Sequence, residues 1–577
     1  MKPACLLFGG LAACLLITSQ GCSNETPPQT TSPDSSPARN QPNIIVIMTD
    51  DSGYTDLGSY GGEIDTPNLD KLAANGMRFS NFYTNGRCSP SRASLLTGLE
   101  SAKVGFGGGA LGDWSRQFKE PAHRGRLPYD IPFLPELLKE AGYKTFMSGK
   151  WHLGGSDIRD NPGRQNLWKK EHPGWELTEA EIQAEYKGLP IQRGFDEYFG
   201  ILHAQDRMFY LEGENHPYFN GNEPAQLSYD YEIHMHCYLQ EKRYNQHHGK
   251  TAQVFHDTDG ITDRAINMVL SSSGEGADPF FLYLAYRGPH KPLHAPEALV
   301  QKYLERYQDL PAIAIERHRK LVEAGLYPPD AKHRTPWLPA EGEARDDTRL
   351  QLAIHAAMTE EIDRNVGKLI EALEASGELK NSLIFYLSDN GCASHVQGFM
   401  NTPYFGTKAL VWEGGLKTHL IAHWPGVIEP GSISHDQGWI GDLFTTSLEA
   451  AGVAYPSTFR SRYLNAPDGR SMLPTLKGES LPAHDTLHFN DKGQQAIIHK
   501  GRYKLLIEPG WYLQTTEKPG IAYELYDLQA DPGETQNLAQ QNPEIVDQLS
   551  QLSNEWAETS GIVEYAERIK LRPRDPY

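Results

Sequence analysis

The chain has 577 residues, with 54 Lys and Arg against 74 Asp and Glu and a formal net charge of −20. That length exceeds what one hydrophobic core usually supports, so two domains are expected. The charge excludes a general nucleic-acid or membrane-surface binder, which carries a basic footprint, and an anionic substrate would need a locally basic pocket.

At the amino terminus, Lys2 precedes an apolar run from Cys5 to Ile17. The run is too short to span a bilayer and reads as a secretory core, so residues 1–21 are expected to be a signal peptide. Gly21-Cys22-Ser23 is similar to a bacterial lipoprotein processing site with Cys22 as the lipidated residue; Ser19 departs from the aliphatic residue usual three positions earlier. Residues 22–41 are Ser, Thr, Pro, Gln and Asn in large part, a tether that cannot bury a core. The expected address is the periplasm or cell surface, with membrane attachment only through a lipid on Cys22. Of six cysteines, Cys5 and Cys14 leave with the signal, and beyond the tether only Cys88, Cys237 and Cys392 remain. That is not a disulfide framework, although a Cys237–Cys392 pairing stays open.

Asn43 to Met48 is a continuous β-branched run, read as a strand buried on both faces, and it delivers Thr49-Asp50-Asp51. Thr66-Pro67 opens a helix that Asn75-Gly76 closes. Cys88-Ser-Pro-Ser-Arg92 is placed at the start of another helix, where backbone N–H groups and the dipole favour an anion. Pro132 to Gly142 is a helix. The strand Tyr143 to Met147 delivers Gly149-Lys150-Trp151-His152, and the strand Phe280 to Tyr286 delivers Gly288-Pro-His290-Lys-Pro292. A long amphipathic helix spans Asp347 to Ser376, and the strand Ser382 to Leu387 delivers Ser388-Asp389-Asn390-Gly391.

Strands alternating with helices imply an α/β fold with a large, mostly parallel, doubly wound sheet. The polar clusters at four strand ends mark its active-site edge. The segments at about 100–130, 156–250 and 305–347 lack this regularity and read as lids or binding loops, with Trp114, Arg124, Arg126, Trp168 and Trp175 available to a sugar. The large domain is assigned to residues 42–480. Residues 481–577 read as a smaller α+β unit, with a hairpin turning at Lys500-Gly501, a short strand at Glu524 to Leu528 and a closing helix from Pro543 to Thr559.

Asp50, Asp51, Asp389 and Asn390 offer hard oxygen ligands without His or Cys, which suits Ca²⁺ or Mg²⁺ rather than zinc. His234-Met-His236-Cys237 with His247-His248 fits no common zinc spacing and reads as a substrate-facing loop.

Cys88, Pro90 and Arg92 form C-x-P-x-R followed by an apolar turn closing on Thr97-Gly98, and this string resembles the signature of the sulfatase family, formylglycine-dependent relatives of alkaline phosphatase. The resemblance runs from about Asn43 to Leu538. It includes Gly149-Lys150-Trp-His152, Gly194-Phe-Asp-Glu-Tyr198, Gly406-Thr-Lys408 followed by Trp412-Glu-Gly-Gly415, and Glu524-Leu-Tyr-Asp-Leu with Asp531-Pro-Gly-Glu. It implies that Cys88 is oxidised by a formylglycine-generating maturation enzyme to an aldehyde that works as its hydrate. It also implies that Asp50, Asp51, Asp389 and Asn390 bind calcium, with residue 88 completing the shell. By the same resemblance His152 and Arg92 hold the hydrate with Lys150 nearby, while Lys150, His290 and Lys408 contact substrate. His290 and Lys408 would bind the sulfate and protonate the leaving oxygen.

The implied reaction is hydrolysis of sulfate esters, of a carbohydrate or an aryl alcohol. One hydroxyl of the hydrate attacks sulfur and expels the alcohol; the second then loses its proton, sulfate leaves and the aldehyde returns. A serine at position 88 could form the ester but not eliminate it. Two other readings stay open. One is a phosphodiester or phosphonate ester hydrolase of the same superfamily, and the other is a catalytically inactive glycan-binding protein.

Overall fold

Asn43–Asp50 forms strand β1, buried along its whole length. Its side chains alternate between two cores, with Ile44, Val46 and Met48 in one and Ile45 and Ile47 in the other. A strand covered on both faces has no solvent side to mark with polar residues, which explains the unbroken apolar run. The structure, a computed structural model, describes residues 41–107, 121–155, 178–202, 208–210, 218–228, 231–238, 251–334, 338, 341–393, 398–491, 493–509 and 522–562. The signal and most of the tether, Cys22, Trp114, Trp168, Trp175, His247 and His248 lie outside the described residues, as do the side chains of His234, His236 and Cys237.

Around β1 lie β2 (Met77–Tyr83), β3 (Lys144–Lys150), β4 (Glu197–Ile201), β5 (Phe280–Pro289), β6 (Ser382–Ser388) and β7 (Lys417–His423). Their order is β2-β7-β6-β1-β5-β3-β4, and short edge strands extend the sheet to eleven. β1 pairs parallel with β5 and β6, and β3 pairs parallel with β5 and β4. β7 alone among these seven runs against its neighbours β6 and β2.

Helices cover both faces: α1 (Pro67–Ala74), α2 (Cys88–Thr97), α3 (Leu134–Glu140), α4 (Asp257–Ser271), α5 (Glu343–Ala375) and α6 (Asp442–Ala450). Leu95 and Leu96 of α2, Leu137 and Leu138 of α3 and Leu443 of α6 join the core on one face. Leu69 of α1, Ile261 of α4, and Ile362 and Val366 of α5 join the other. This is the doubly wound α/β architecture expected from the alternation of elements. Among the described residues, no helix is long and apolar enough to cross a membrane.

Four antiparallel strands follow in sequential order: β8 (Thr486–Asp491), β9 (Gln494–His499), β10 (Tyr503–Ile507) and β11 (Tyr523–Asp527), with α7 (Pro543–Ser560). Ile497, Leu505 and Leu525 pack on Val546 and Leu549 of α7. The opposite face sends Ala496, Ile498 and Leu506 into the same core as Ile44 of β1.

Several expected loops are regular structure. The stretch 305–347 holds a helix at Leu310–Glu323, and Asp309 caps it by accepting from the Ala312 N–H at 3.0 Å. Pro311 there is a first-turn proline, which starts a helix rather than breaking it. The stretch 156–250 contains β4, a helix at Glu179–Lys187 and a strand at Tyr231–Tyr238. That last strand pairs with Leu293–Pro296, so His234, His236 and Cys237 lie on a strand of a small sheet rather than in a loop. α5 begins at Glu343, one turn earlier than its apolar pattern suggests. Cys392 is a free buried thiol, so the disulfide that the sequence left open is not made.

Candidate active site

The carboxyl-terminal ends of β1, β3, β5 and β6 converge, as parallel strands must when their crossovers share one direction. β1 brings Asp50 and Asp51, β3 brings Lys150 and then His152, β5 brings His290, and β6 brings Asp389 and Asn390. Cys88 is the first residue of α2, whose ten residues are all buried. Ser91 and Ser94 of the motif accept from the Asn85 N–H and its Nδ2 at 3.0 and 2.7 Å, which fixes the loop entering α2.

Cys88 Sγ lies 3.3 Å from Asp50 Oδ1 and 3.0 Å from Lys408 Nζ. Burial, with the carboxylates of Asp389 and Asp50 beside it, pushes the thiol up to about 12. Lys408 also reaches Asp51 Oδ1 at 2.6 Å. Burial disfavours its charge, but Asp51 and the other acids outweigh that and hold it protonated. Lys150 Nζ donates to Asp50 Oδ2. Arg92, fully buried, directs Nε and Nη2 to Asp389 Oδ2 at 3.0 and 2.8 Å, and Nη1 to the Lys150 carbonyl at 2.9 Å and the Tyr283 hydroxyl at 3.2 Å. Three carboxylates are thus matched by three cations in a dry site, the condition under which buried charge is tolerated.

His152 is buried in a left-handed conformation, φ 57°, with its N–H on the Leu202 carbonyl at 3.1 Å. Burial, reinforced by Lys150 and Arg92, holds this imidazole neutral. His290 Nδ1 donates to the Lys291 carbonyl at 2.5 Å and Nε2 lies 3.7 Å from Asp51, while burial and nearby Lys408 push the ring down to about 4.

Asp50, Asp51, Cys88 and His290 hold potential ligand atoms within 4.8 Å of one another. His290 is therefore closer to the carboxylates than the oxygen-only set anticipated. Asn390 supports a cation site most directly. Its Nδ2 donates to Asp51 Oδ1 at 2.8 Å and to the Gly391 carbonyl at 2.9 Å, which fixes the amide orientation. Asn390 Oδ1 is then buried with no hydrogen-bond partner. An orphaned amide oxygen beside carboxylates suits a hard divalent cation.

A family model described as Sulfatase matches residues 42–453. The chain belongs to the sulfatase family. A second model, N-sulphoglucosamine sulphohydrolase C-terminal, matches residues 403–560. An uncharacterized sulfatase of Schizosaccharomyces pombe is 28% identical over 91% of this chain and 94% of its own. The N-acetylgalactosamine-6-sulfatase of Mus musculus is 32% identical, covering 80% of this chain and 71% of the relative. Among solved structures, Ps i-CgsB in complex with k-i-k-neocarrahexaose superimposes with a TM-score of 0.62 at 24% identity, covering 92% and 98% of the two chains.

This sulfatase is therefore a sulfuric ester hydrolase of a family that is generally metal-dependent. Several residues around its site carried no sequence signal. Tyr283 bonds Arg92 from mid-strand, and Asp56 accepts from the Ser52 hydroxyl, the Gly53 N–H and His355 at 3.0, 2.7 and 2.8 Å, bracing the turn after β1. Lys504 lies 2.8 Å from both Glu413 and Glu534. Glu413 and Glu534 each stood in a recognisable string, Trp412-Glu-Gly-Gly and Asp531-Pro-Gly-Glu, and Lys504 did not. Arg126 pairs with Glu185 at 3.1 Å, and Arg124 is exposed. A second buried group, His256, Asp259 and Glu361, has its carboxylates matched by Lys368 and Arg364 and reads as an ion-pair network.

Proposed function

We propose that this sulfatase is an exported hydrolase of carbohydrate sulfate esters that uses a formylglycine derived from Cys88 and a calcium ion. The observation that carries the reading is the convergence of Cys88 with Asp50, Asp51, Asn390 and Lys408, contributed by segments more than 300 residues apart in the chain. The N-acetylgalactosamine-6-sulfatase relatives and the k-i-k-neocarrahexaose bound to a fold neighbour support the sugar class. The amino-terminal apolar run and Cys22 support export with lipid attachment.

Asp50, Asp51, Asp389 and Asn390 would hold the cation, and residue 88 would sit against it. Hydrated formylglycine supplies a nucleophilic hydroxyl, and calcium supplies positive charge that acidifies it. The protein's own residues do the rest. The carboxylates are already neutralised by Arg92, Lys150 and Lys408, so a divalent cation makes the pocket net positive and draws in an anion despite the overall charge of −20. Lys408, fixed 2.6 Å from Asp51 and next to residue 88, stabilises charge on the ester oxygens and donates to the departing one. His290 lies on the same side and orients the sulfate, and by the family resemblance His152 and Arg92 hold the hydrate.

The test is mass spectrometry of the residue-88 peptide from protein made with a formylglycine-generating enzyme, paired with sulfate release from N-acetylgalactosamine 6-sulfate, carrageenan oligosaccharides and 4-nitrophenyl sulfate. The expected result is an aldehyde at position 88, sulfate release abolished by chelator and restored by Ca²⁺, and at least about a 10³-fold loss in Cys88→Ser. Full turnover by protein with an unmodified thiol would overturn the formylglycine assignment. Faster cleavage of a phosphonate monoester than of any sulfate would move the protein to the phosphonate hydrolases.

A further inference from the structure

The sheet β8–β11 contributes no residue to the reaction described above, but the adjoining ends of β8 and β9 reach the residue before Cys88 and the residue after Lys408. Asp491, the last residue of β8, stands opposite Gln494, the first of β9. Asp491 Oδ1 lies 2.6 Å from Nε of Arg87, the residue that precedes Cys88 and caps α2. Gln494 is fully buried, and its Nε2 donates to the carbonyl of Ala409, the residue that follows Lys408.

Ala409 is held in the left-handed region at φ 70°. A non-glycine residue stays in that conformation only where its surroundings over-determine it. Two bonds do so here. The Ala409 N–H donates to the Gly86 carbonyl at 2.9 Å, and its own carbonyl accepts from Gln494. The Lys408 N–H is fixed on the Cys392 carbonyl at 2.9 Å. The backbone that aims the lysine is therefore clamped between the entry to α2 and the first residue of β9. A lysine stem has many rotamers, so the direction of its Cα–Cβ bond sets whether the ammonium reaches Cys88 Sγ at 3.0 Å and Asp51 at 2.6 Å.

We infer that Gln494, backed across the turn by Asp491, is a positioning residue that holds Ala409 left-handed and so aims Lys408 at residue 88 and the leaving oxygen. The inference rests on the role proposed above for Lys408. It gives the C-terminal sheet a part in the reaction, because Gln494 reaches the site only when that sheet is docked.

The experiment compares phenyl sulfate with 4-nitrophenyl sulfate, whose leaving oxygen needs far less protonation. Gln494→Glu keeps the volume and removes the donor; Gln494→Asn keeps the amide but withdraws it by one methylene, and serves if the glutamate variant folds poorly. Each is expected to lose about tenfold more rate on phenyl sulfate than on 4-nitrophenyl sulfate, with the aldehyde at position 88 intact by mass spectrometry. In a Lys408→Ala background the same substitution is expected to change either rate by less than about twofold, since it acts through the lysine. Equal losses on both esters, or a Gln494 effect undiminished without Lys408, would make Gln494 a packing residue and overturn the inference. Failure of the underlying reading looks different: Lys408→Ala would then retain full rate on both esters, before any change at Gln494.

Discussion

The Asn390 side chain commits both amide hydrogens, to Asp51 Oδ1 and to the Gly391 carbonyl, and leaves Oδ1 buried without a partner. A polar atom abandoned in a dry site costs free energy unless a ligand meets it. Asn390→Ala removes that oxygen and also releases Asp51 from its orienting bond. The expected outcome is a loss of at least about tenfold in calcium affinity, read by titration calorimetry on chelator-treated protein. Asn390→Asp offers a different comparison. It places a fourth carboxylate among three that Arg92, Lys150 and Lys408 already balance, so its effect reports charge rather than ligand count. Cys88 stands in the same balance, its thiol pushed up to about 12 by burial and the adjacent carboxylates.

At the scale of elements, the site depends on how closely the strands approach. Gly149 of β3 has φ 113°, and a Cβ there would lie 1.9 Å from the Ala285 carbonyl of β5. A Cβ on Gly200 of β4 would in turn lie 1.8 Å from the Gly149 carbonyl. Two adjacent glycine contacts let β3 lie close to both neighbours just before Lys150, whose ammonium donates to Asp50. Gly149→Ala must push β3 away from β5 as well as adopt an unfavourable backbone conformation. It is expected to destabilise the protein by at least about 2 kcal/mol in urea unfolding, with activity falling further than the residual folded fraction explains. The serines of α2 act at this scale too, because they tie the Asn85 loop that carries Gly86 and Arg87 into the helix.

At the scale of the whole molecule, a buried charge cluster joins β10 to the segment after Lys408. Lys504 pairs with Glu413 and Glu534, Lys417 reaches Glu413 at 3.0 Å, and the Tyr83 hydroxyl donates to Glu413 at 2.8 Å. Lys504→Met leaves buried Glu534 without a cation and Glu413 with Lys417 and Tyr83 alone. The expected cost is about 3–5 kcal/mol, measured by chemical denaturation. The protein's response to acid has components of both signs. Burial, with Lys103 nearby, holds His488 down at about 4, stacked on Trp556 with ring centroids 4.8 Å apart. Its folded value lies below the usual 6.5, so it contributes stability above pH 6.5 that is lost as the pH falls towards 4. Burial lifts Asp363 to about 6, and this acts in the opposite direction, its contribution being lost as the pH rises from about 4 to 6. The difference between proteins isolates the histidine. His488→Phe keeps the stacking and cannot protonate, so its stability relative to the parent should rise by about 2–3 kcal/mol between pH 6.5 and 4, seen as a widening gap in Tm.

By itself the sequence determined the alternation of buried strands and helices, the four polar strand ends, the C-x-P-x-R string and therefore the family. Those features are local: a strand covered on both faces must be apolar throughout, and a turn at a strand end must be polar. The placement of Cys88 at the first position of α2 and the hairpin at Lys500-Gly501 were legible for the same reason. Tertiary structure alone decided what depends on crossing distances. β7 was not legible because its antiparallel pairing is set by β6 and β2, not by its own residues. The helix at Leu310–Glu323 was hidden by Pro311, whose meaning changes with its position in the first turn. Tyr283, Lys504 and Gln494 read as ordinary residues of strands, and nothing within ten residues of any of them hints at a partner. Their roles arise because the sheet brings residue 88, Lys408 and the β8–β9 turn within hydrogen-bond reach, and long-range packing leaves no periodic trace in the chain.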